Sequence, residues 1–480
     1  MRRTKIVATV GPASEDPHTL AAMVTAGMDM ARLSLAHGRL DETLDRVQRV
    51  RAIGEQQDKH VGVLADLPGP KVRAAEFPEG GVLLAEGSTV DLVAAEAGSA
   101  SSDSVLAVDH AAVLDDLRAG DRVVLGDGAI SLVVEDVGEA RARAVVVTGG
   151  WAQGRPGVAL PAGRFAVQSP TAQDLYLLKA LVEADVDAVA ISFVRSAADI
   201  RRAREALDGA GPMLVAKIET QEAVDDLEDI IATADAVMVA RGDLGIRCDL
   251  EDVPVYQKRI IRSGVAYGRP VITATQMLET MVRAPTPTRA EVSDVANAVF
   301  DGTSALMLSG ETAVGHDPAG AVRTMARIAL RAEREFDYAG WGARLGRQQQ
   351  AEAQNAPVGL RITAAISAAA WRAAGDAEVA AIIACTNTGA TARAISRFRP
   401  TVPVLGVTPS LRTARQLSFG WGITPILADV HGTTDDIVWF AVKTAVERGV
   451  LKQGDVVAVL VGSPTRPGLV TDTLRLERIE

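Results

Sequence analysis

Lys217 and Glu219 lie two residues apart in the apolar run Met213-Leu-Val-Ala-Lys217-Ile-Glu219. If that run is a strand, the two share one face, and Ala216 and Ile218 point the other way. An ammonium beside a carboxylate there is either an ion pair filling a cavity mouth or part of a site for a charged ligand. The run Arg241-Gly-Asp243-Leu-Gly245 favours the second. Its glycines permit close backbone approach to a ligand, and a helix starting there would aim N–H groups at an anion. Glu219 and Asp243 together could hold one hard divalent ion, because Mg²⁺ takes one or two carboxylates and fills its shell with phosphate oxygens and water.

Such residues need elements to bring them together. Short apolar runs recur at Lys5–Val10, Met28–Leu33, Val61–Ala65, Ala188–Ile191, Met213–Ile218, Ala236–Val239, Pro270–Ala274 and Ser304–Leu308. Between them lie stretches with apolar residues three and four apart, such as Ala172–Ala184 and Ala198–Leu207. Alternating strand and helix of this kind predicts a parallel sheet with helical crossovers. Eight such strands suggest an α/β fold, a (β/α)8 TIM barrel, whose active site lies at the C-terminal strand ends. Those ends would deliver Arg32 and Ser34, Asp66, Ser192, Lys217 and Glu219, Arg241 to Asp243, Thr275 and Ser309 to one rim.

The rhythm breaks between about Gly69 and Arg164, where Val-rich runs are punctuated by glycine: Val82–Leu84, Thr89–Val93, Asp121–Leu125, Ala129–Val134 and Arg143–Val147. This predicts an inserted β-barrel lid domain over 70–164, leaving 1–69 and 165–335 for the catalytic barrel. Residues 336–355 turn polar and read as a linker. Beyond it, Val379–Ala384, Val402–Val407 and Val456–Val461 alternate with helical patterns, as in an open α/β domain over 356–480.

Composition narrows the classes. The 480 residues are 48% hydrophobic and carry a net charge of -11. That is enough apolar content for two or three cores, and it gives no general attraction to nucleic acid or anionic lipid. Cys248 and Cys385 form no Cys-x-x-Cys pair, which argues against a zinc ribbon or disulfide framework and suits a reducing cytoplasm. The apolar stretch after the basic N-terminus stops at Gly11-Pro12, too short for a signal peptide, and no run is long enough to predict a membrane span.

Six segments resemble one family. Thr9-Val-Gly-Pro-Ala-Ser14, Met213-Leu-Val-Ala-Lys217-Ile-Glu219-Thr, Met238-Val-Ala-Arg241-Gly-Asp243-Leu-Gly, Thr273-Ala-Thr275-Gln-Met-Leu-Glu, Pro287-Thr-Arg-Ala-Glu-Val-Ser-Asp-Val-Ala-Asn297 and Met307-Leu-Ser-Gly-Glu-Thr312 are similar to the pyruvate kinase signatures, in order along the whole chain. The resemblance implies Mg²⁺-dependent phosphoryl transfer from phosphoenolpyruvate to ADP, giving pyruvate and ATP in glycolysis, with Mn²⁺ as an alternative metal. It casts Lys217, Arg32 and Thr275 as catalytic, and Ser192, Gly242 and Asp243 as further substrate contacts. Glu219 and Asp243 become the metal ligands, and Arg241, Ser309 and Glu311 support them. Nucleotide contacts fall on Thr9, Pro12, His37, Arg73, Asp127 and Arg155. Thr288 and Glu291 instead read as a capping box that starts a helix.

Most of the family needs K⁺ as well. Here the corresponding positions are Ser34, Ala36, Asp66 and Leu67, with Lys71 where a nearby Glu would stand. Ala36 and Leu67 carry no side-chain oxygen, and an ammonium about 4 Å from an acid supplies roughly 4 kcal/mol at an effective dielectric of 20. The segment Leu67–Lys71 resembles the K⁺-independent branch, so no K⁺ requirement is expected. The run Thr386-Asn387-Thr388-Gly389-Ala390-Thr391 links a predicted strand to a helix; the resemblance makes it a site for a phosphorylated allosteric effector, and implies a cytoplasmic homotetramer. Ordinary helix capping by Thr388 or Thr391 is the other reading of that run. Two other functions share parts of the pattern: a barrel lyase or mutase acting on phosphoenolpyruvate, and a non-catalytic protein that senses it.

Overall fold

The computed structural model describes residues 2–36, 39–110, 112–126, 128–160, 168–207, 211–352, 357–429, 432–462 and 471–480. Eight parallel strands close into a barrel in chain order: Lys5–Thr9, Met30–Ser34, Gly62–Asp66, Ala188–Ile191, Met213–Ile218, Ala236–Ala240, Val271–Ala274 and Ala305–Leu308. Each is buried along its length or nearly so, which is why it reads in sequence as an uninterrupted apolar run. Alternation holds in the fifth strand. Met213 and Val215 join the barrel interior with Met30, Leu64 and Met238, whereas Leu214, Ala216 and Ile218 pack with the surrounding helices.

The bottom of the barrel is plugged from another domain: Phe419, fully buried, belongs to the interior cluster. It sits in the short helix Leu417–Phe419 of the C-terminal domain. That domain is a five-stranded sheet in the order Ile423–Leu427, Val404–Thr408, Ala381–Cys385, Val456–Gly462 and Thr471–Arg478, with only the last strand antiparallel. Separate apolar clusters cover its two faces, as an open α/β sheet requires.

The inserted segment follows the third barrel strand. Val158–Ala159, Arg122–Leu125, Ile130–Val137, Ala142–Thr148, Thr89–Ala94 and Val105–Val108 form a six-stranded sheet, and Val82–Leu84 pairs with Gly150–Ala152 as a ribbon over the same core. Bridges from Arg73 to Gly157 and from Ala74 to Val108 tie the two edges of that sheet together. One turn of helix, Val113–Asp116, interrupts the expected all-β character.

The polar stretch read as a linker is helical over Tyr338–Glu352. Trp341 and Leu345, four residues apart, give this helix an apolar edge, and Trp341 donates its indole N–H to the Arg397 carbonyl. Among the described residues, no helix is long and apolar enough to cross a membrane.

Candidate active site

At the C-terminal strand ends, register sets which side chains meet. Thr9 pairs with Arg32, and Ser34 with Asp66. Arg32 therefore reaches both neighbours. Its Nε donates to Asp66 Oδ2 at 2.8 Å, Nη2 lies 2.6 Å from the same oxygen, and Nη1 donates to Thr9 Oγ1 at 3.1 Å. Asp66 in turn faces Lys217, whose Nζ is 3.3 Å from Oδ1. Lys217 also donates to Ser192 Oγ at 2.8 Å and lies 2.9 Å from Glu219 Oε1. Asp66, a position expected for a monovalent ion, thus sits at the centre of the network formed by Arg32, Lys217 and Ser192, whereas the Lys71 side chain lies elsewhere.

Burial and charge compete in this network. Burial alone would raise the Asp66 carboxyl, but Lys217 and Arg32 outweigh it and hold the group below the usual carboxylate range. Burial likewise disfavours the charged Lys217, yet Asp66 and Glu219 hold its ammonium above the usual lysine range. Glu219 is different: complete burial, with Asp243 adding to it, pushes its carboxyl up against the pull of Lys217. Glu219 Oε2 accepts the Phe193 N–H at 2.7 Å, while the buried Oε1 receives no well-directed hydrogen bond. A buried carboxylate oxygen that faces only an ammonium, close to a second acid, has capacity left for a hard cation. Among the described residues, no group of three or more His, Cys, Asp or Glu is placed to hold a metal. Glu219 and Asp243 would therefore share it with oxygens from outside the chain.

On the other side of the rim, Arg241 works through its neighbours. It donates to the carbonyls of Ala274 and Thr275 at 3.2 and 2.6 Å and pairs with Asp294 at 2.7 Å. These contacts hold Thr275 at φ +66°, an uncommon backbone for a β-branched residue. Thr275 Oγ1 accepts the Gly242 N–H at 2.8 Å. Glu311, buried, accepts from Leu278 N at 3.0 Å and Ser309 N at 2.7 Å, so it joins the loops after the last two strands. The Ser309 hydroxyl is buried and without a partner. Asp294 was missed in sequence because its partner lies in a different segment, although both segments carry family signatures.

The residues expected to contact a nucleotide are less convergent. Thr9 is in the rim network, and Pro12 is exposed in the following turn. Arg73 donates to the Arg155 carbonyl at 3.3 Å, and Arg155 pairs with Asp109 at 3.1 Å, all within the inserted domain. His37 and Asp127 lie outside the described residues. The turn beside Asp127 does approach the rim: a side chain at Gly128 would come 3.7 Å from Ile246. Lys71 is exposed with its chain against Gly157, where an added Cβ would stand 3.0 Å from Cε.

Both connections to the inserted domain are fastened at Ser192. Ser169 Oγ donates to the Ser192 carbonyl at 2.7 Å, and Ser192 Oγ donates to the Leu67 carbonyl at 2.7 Å. Gly69 N donates to Asp174 at 3.1 Å. Gly69 has φ +66°, and a Cβ there would lie 2.7 Å from Ser192 Cβ and 3.0 Å from the Phe193 ring. Gly69→Ala is therefore expected to push Ser192 away from Lys217. A displacement of that size costs roughly 10²-fold in activity. Comparing kcat/KM with the urea midpoint checks this: a tenfold or smaller loss of kcat/KM with normal stability would refute it.

In the C-terminal domain, neither Thr388 nor Thr391 caps the helix Ala390–Ser396, which starts from Gly389 in the left-handed region with no side-chain cap. Thr391 Oγ1 instead lies 2.8 Å from Thr471 Oγ1, Asn387 and Thr388 are exposed, and Thr386 is buried. Thr288 and Glu291 do form the expected capping box at the start of Arg289–Phe300.

Comparison with known proteins follows the same division of the chain. The family model described as pyruvate kinase, barrel domain, matches residues 1–322, and the one described as pyruvate kinase, alpha/beta domain, matches residues 364–477. The chain is 38% identical over 485 aligned positions to the pyruvate kinase of Clostridium acetobutylicum, covering 100% of both proteins. It is 37% identical over 483 positions to the pyruvate kinases of Staphylococcus aureus strains MRSA252 and USA300, covering 100% of this chain and 81% of those longer proteins. With both domains matched in order and the likeness running the full length, the chain belongs to the pyruvate kinase family.

Proposed function

We propose that this chain transfers the phosphoryl group of phosphoenolpyruvate to ADP. The bond from phosphorus to the enol oxygen breaks, a bond to the β-phosphate oxygen of ADP forms, and the enolate left behind takes a proton at carbon to become pyruvate. The observation that carries this reading is the network of Arg32, Lys217 and Glu219 through Asp66 and Ser192, with the hydrogen-bonded pair Gly242 and Thr275 at the ends of neighbouring strands of the same barrel.

Each side chain has a physical task. Asp66 and Thr9 occupy the inner edge of the Arg32 guanidinium, which leaves one N–H on each terminal nitrogen for a two-pronged grip on phosphoryl oxygens. Lys217, held charged by Asp66 and Glu219, offsets the negative charge on the transferring group and the nascent enolate without having to reorganise. The Gly242 and Asp243 N–H groups with Thr275 receive the substrate carboxylate. Thr275, Ser309 and Glu311 position the water that protonates the enolate, because a threonine hydroxyl is itself a poor acid. Glu219 and Asp243 would hold a divalent cation such as Mg²⁺, which would supply positive charge against the oxygens of the transferring group and the enolate. Arg73, Arg155, Pro12, His37 and Asp127 line the nucleotide side, with residues 70–164 as a lid that excludes water.

Independence from K⁺ is part of the proposal. Asp66 is already engaged by two cations, and Ala36 and Leu67 offer no side-chain oxygen. Lys71, at the hinge, carries its charge with the inserted domain. The loop Thr386–Thr391 is proposed as the place of a phosphorylated effector, and the assembly as a homotetramer in the cytoplasm.

A coupled pyruvate assay on the purified chain tests the reaction. Pyruvate should form only when ADP is present; release without ADP would indicate a lyase. In K⁺-free tetramethylammonium buffer, added K⁺ should raise kcat by less than about tenfold, or about 1.4 kcal/mol of barrier. Larger stimulation would reject K⁺ independence while leaving the reaction standing.

A further inference from the structure

Beside the rim, one half-buried arginine is engaged by an aromatic ring alone. Arg247 ends the short helix Arg241–Arg247, which follows the sixth barrel strand and carries Gly242 and Asp243 in its first turn. Its guanidinium lies over the Phe193 ring, with the central carbon 4.8 Å from the ring centroid. Among the described residues it makes no ion pair and no side-chain hydrogen bond. A guanidinium on an aromatic face gains from both its charge and its flatness, so the contact holds ring and arginine together without any acid.

Phe193 gives that contact its consequence. It lies two residues beyond the fourth barrel strand, is 7% exposed, and has φ +55°, the left-handed region that a bulky side chain avoids. Such a backbone persists only where its surroundings over-determine it. In this conformation the Phe193 N–H donates to Glu219 Oε2 at 2.7 Å, while Glu219 Oε1 faces the Lys217 ammonium at 2.9 Å. The hinge bears on the same ring: a Cβ on Gly69 would stand 3.0 Å from one of its carbons.

We infer that Arg247 is a positioning residue for the divalent cation: by covering the Phe193 ring it keeps the Phe193 N–H on Glu219 Oε2, and so holds Oε1 where a cation can share it. The inference rests on the reading of Glu219 as a metal ligand. Groups that orient a ligating carboxylate matter about 10- to 100-fold for metal affinity. Arg247 acts one step behind such a group, which places its effect at the lower end. The sign is diagnostic. A guanidinium acting through its charge would repel a nearby cation, and its removal would tighten binding; a guanidinium acting through Phe193 weakens binding when it is lost.

Mn²⁺ serves as the probe, titrated into the full chain without substrate, where water completes its shell, with free Mn²⁺ read by electron paramagnetic resonance. Arg247→Ala should raise the Kd about tenfold with an unchanged urea midpoint. Arg247→Lys, which keeps a cation over the ring, should stay within about threefold of wild type. Phe193→Leu removes the ring but keeps the backbone N–H, so it should weaken binding by itself and leave Arg247→Ala little further to lose. A Kd that Arg247→Ala leaves unchanged or lowers, or an effect that persists in full beside Phe193→Leu, would overturn the inference while leaving the reaction standing. So would a rise in Kd that comes with a lowered urea midpoint and is not rescued by lysine. A wild-type chain that binds no Mn²⁺ would instead overturn the metal role of Glu219 and Asp243, and the inference with it.

Discussion

Lys217→Met should lower kcat by about 10²- to 10³-fold, the loss found when one preorganised donor is removed from a site of developing charge, equivalent to about 3–4 kcal/mol. Methionine keeps the unbranched stem but loses the ammonium. The side chain is 12% exposed, so solvent does little to replace the missing charge. The KM for ADP should change little, because Lys217 sits on the substrate side with Ser192 and Glu219. The measurement is the coupled pyruvate assay at saturating substrates, with a urea titration to establish that the variant is folded. A folded variant retaining more than about a tenth of wild-type kcat, a barrier change below about 1.4 kcal/mol, would remove the basis of the proposed mechanism.

The same substitution separates two roles of the network. Without the ammonium, Glu219 is a buried acid with only the Phe193 N–H to stabilise its charge, and Asp243 still raises it. Asp66 keeps Arg32. The loss should therefore fall on the Glu219 side of the site, and the Arg32 grip should survive.

Much of this arrangement was legible in the sequence, for a physical reason. A parallel strand covered on both faces must be apolar throughout, so the fourth and fifth barrel strands, Ala188–Ile191 and Met213–Ile218, carry their boundaries in their composition. The two strands of the C-terminal sheet that escaped notice lack that signature. Ile423–Leu427 contains Pro425, tolerable because the strand lies at the edge of its sheet. Thr471–Arg478, an antiparallel edge strand, is mostly polar, with Leu474 and Leu476 its only two apolar side chains. In the site, the shared face of Lys217 and Glu219 follows from alternation alone. The central place of Asp66 does not, because it depends on the register of the third strand against the second and fourth, which no local pattern encodes. Contacts between domains are hidden for the same reason: Arg415 and Asp187 are 228 residues apart.

That last pair should dominate the stability of the junction. Asp187, 0% exposed, immediately precedes the fourth barrel strand. It accepts Arg415 Nε at 2.7 Å and the Val63 N–H at 2.7 Å, and Arg51 lies 2.8 Å away. Arg415 also pairs with Asp185, which Arg412 holds at 2.6 Å. Burial pushes the Asp187 carboxyl up despite Arg51 and Arg415, whereas its two acidic partners hold the Arg415 guanidinium above its ordinary value against the opposing effect of burial. Removing one member of a buried pair costs about 3–5 kcal/mol, because the other charge stays behind; with Arg51 still in place, Arg415→Met should fall near the lower end. The pH dependence has a definite sign. A carboxyl raised in the folded state favours folding while protonated, and loses that contribution as pH rises through its folded pKa. In the variant Asp187 is raised further, so its deficit against wild type should be largest near neutrality and shrink as pH falls toward the ordinary carboxylate range. Denaturant titrations of both proteins across that range test this. A deficit that is independent of pH would mean that the loss comes from packing of the arginine stem against the barrel, and not from the charge it leaves on Asp187.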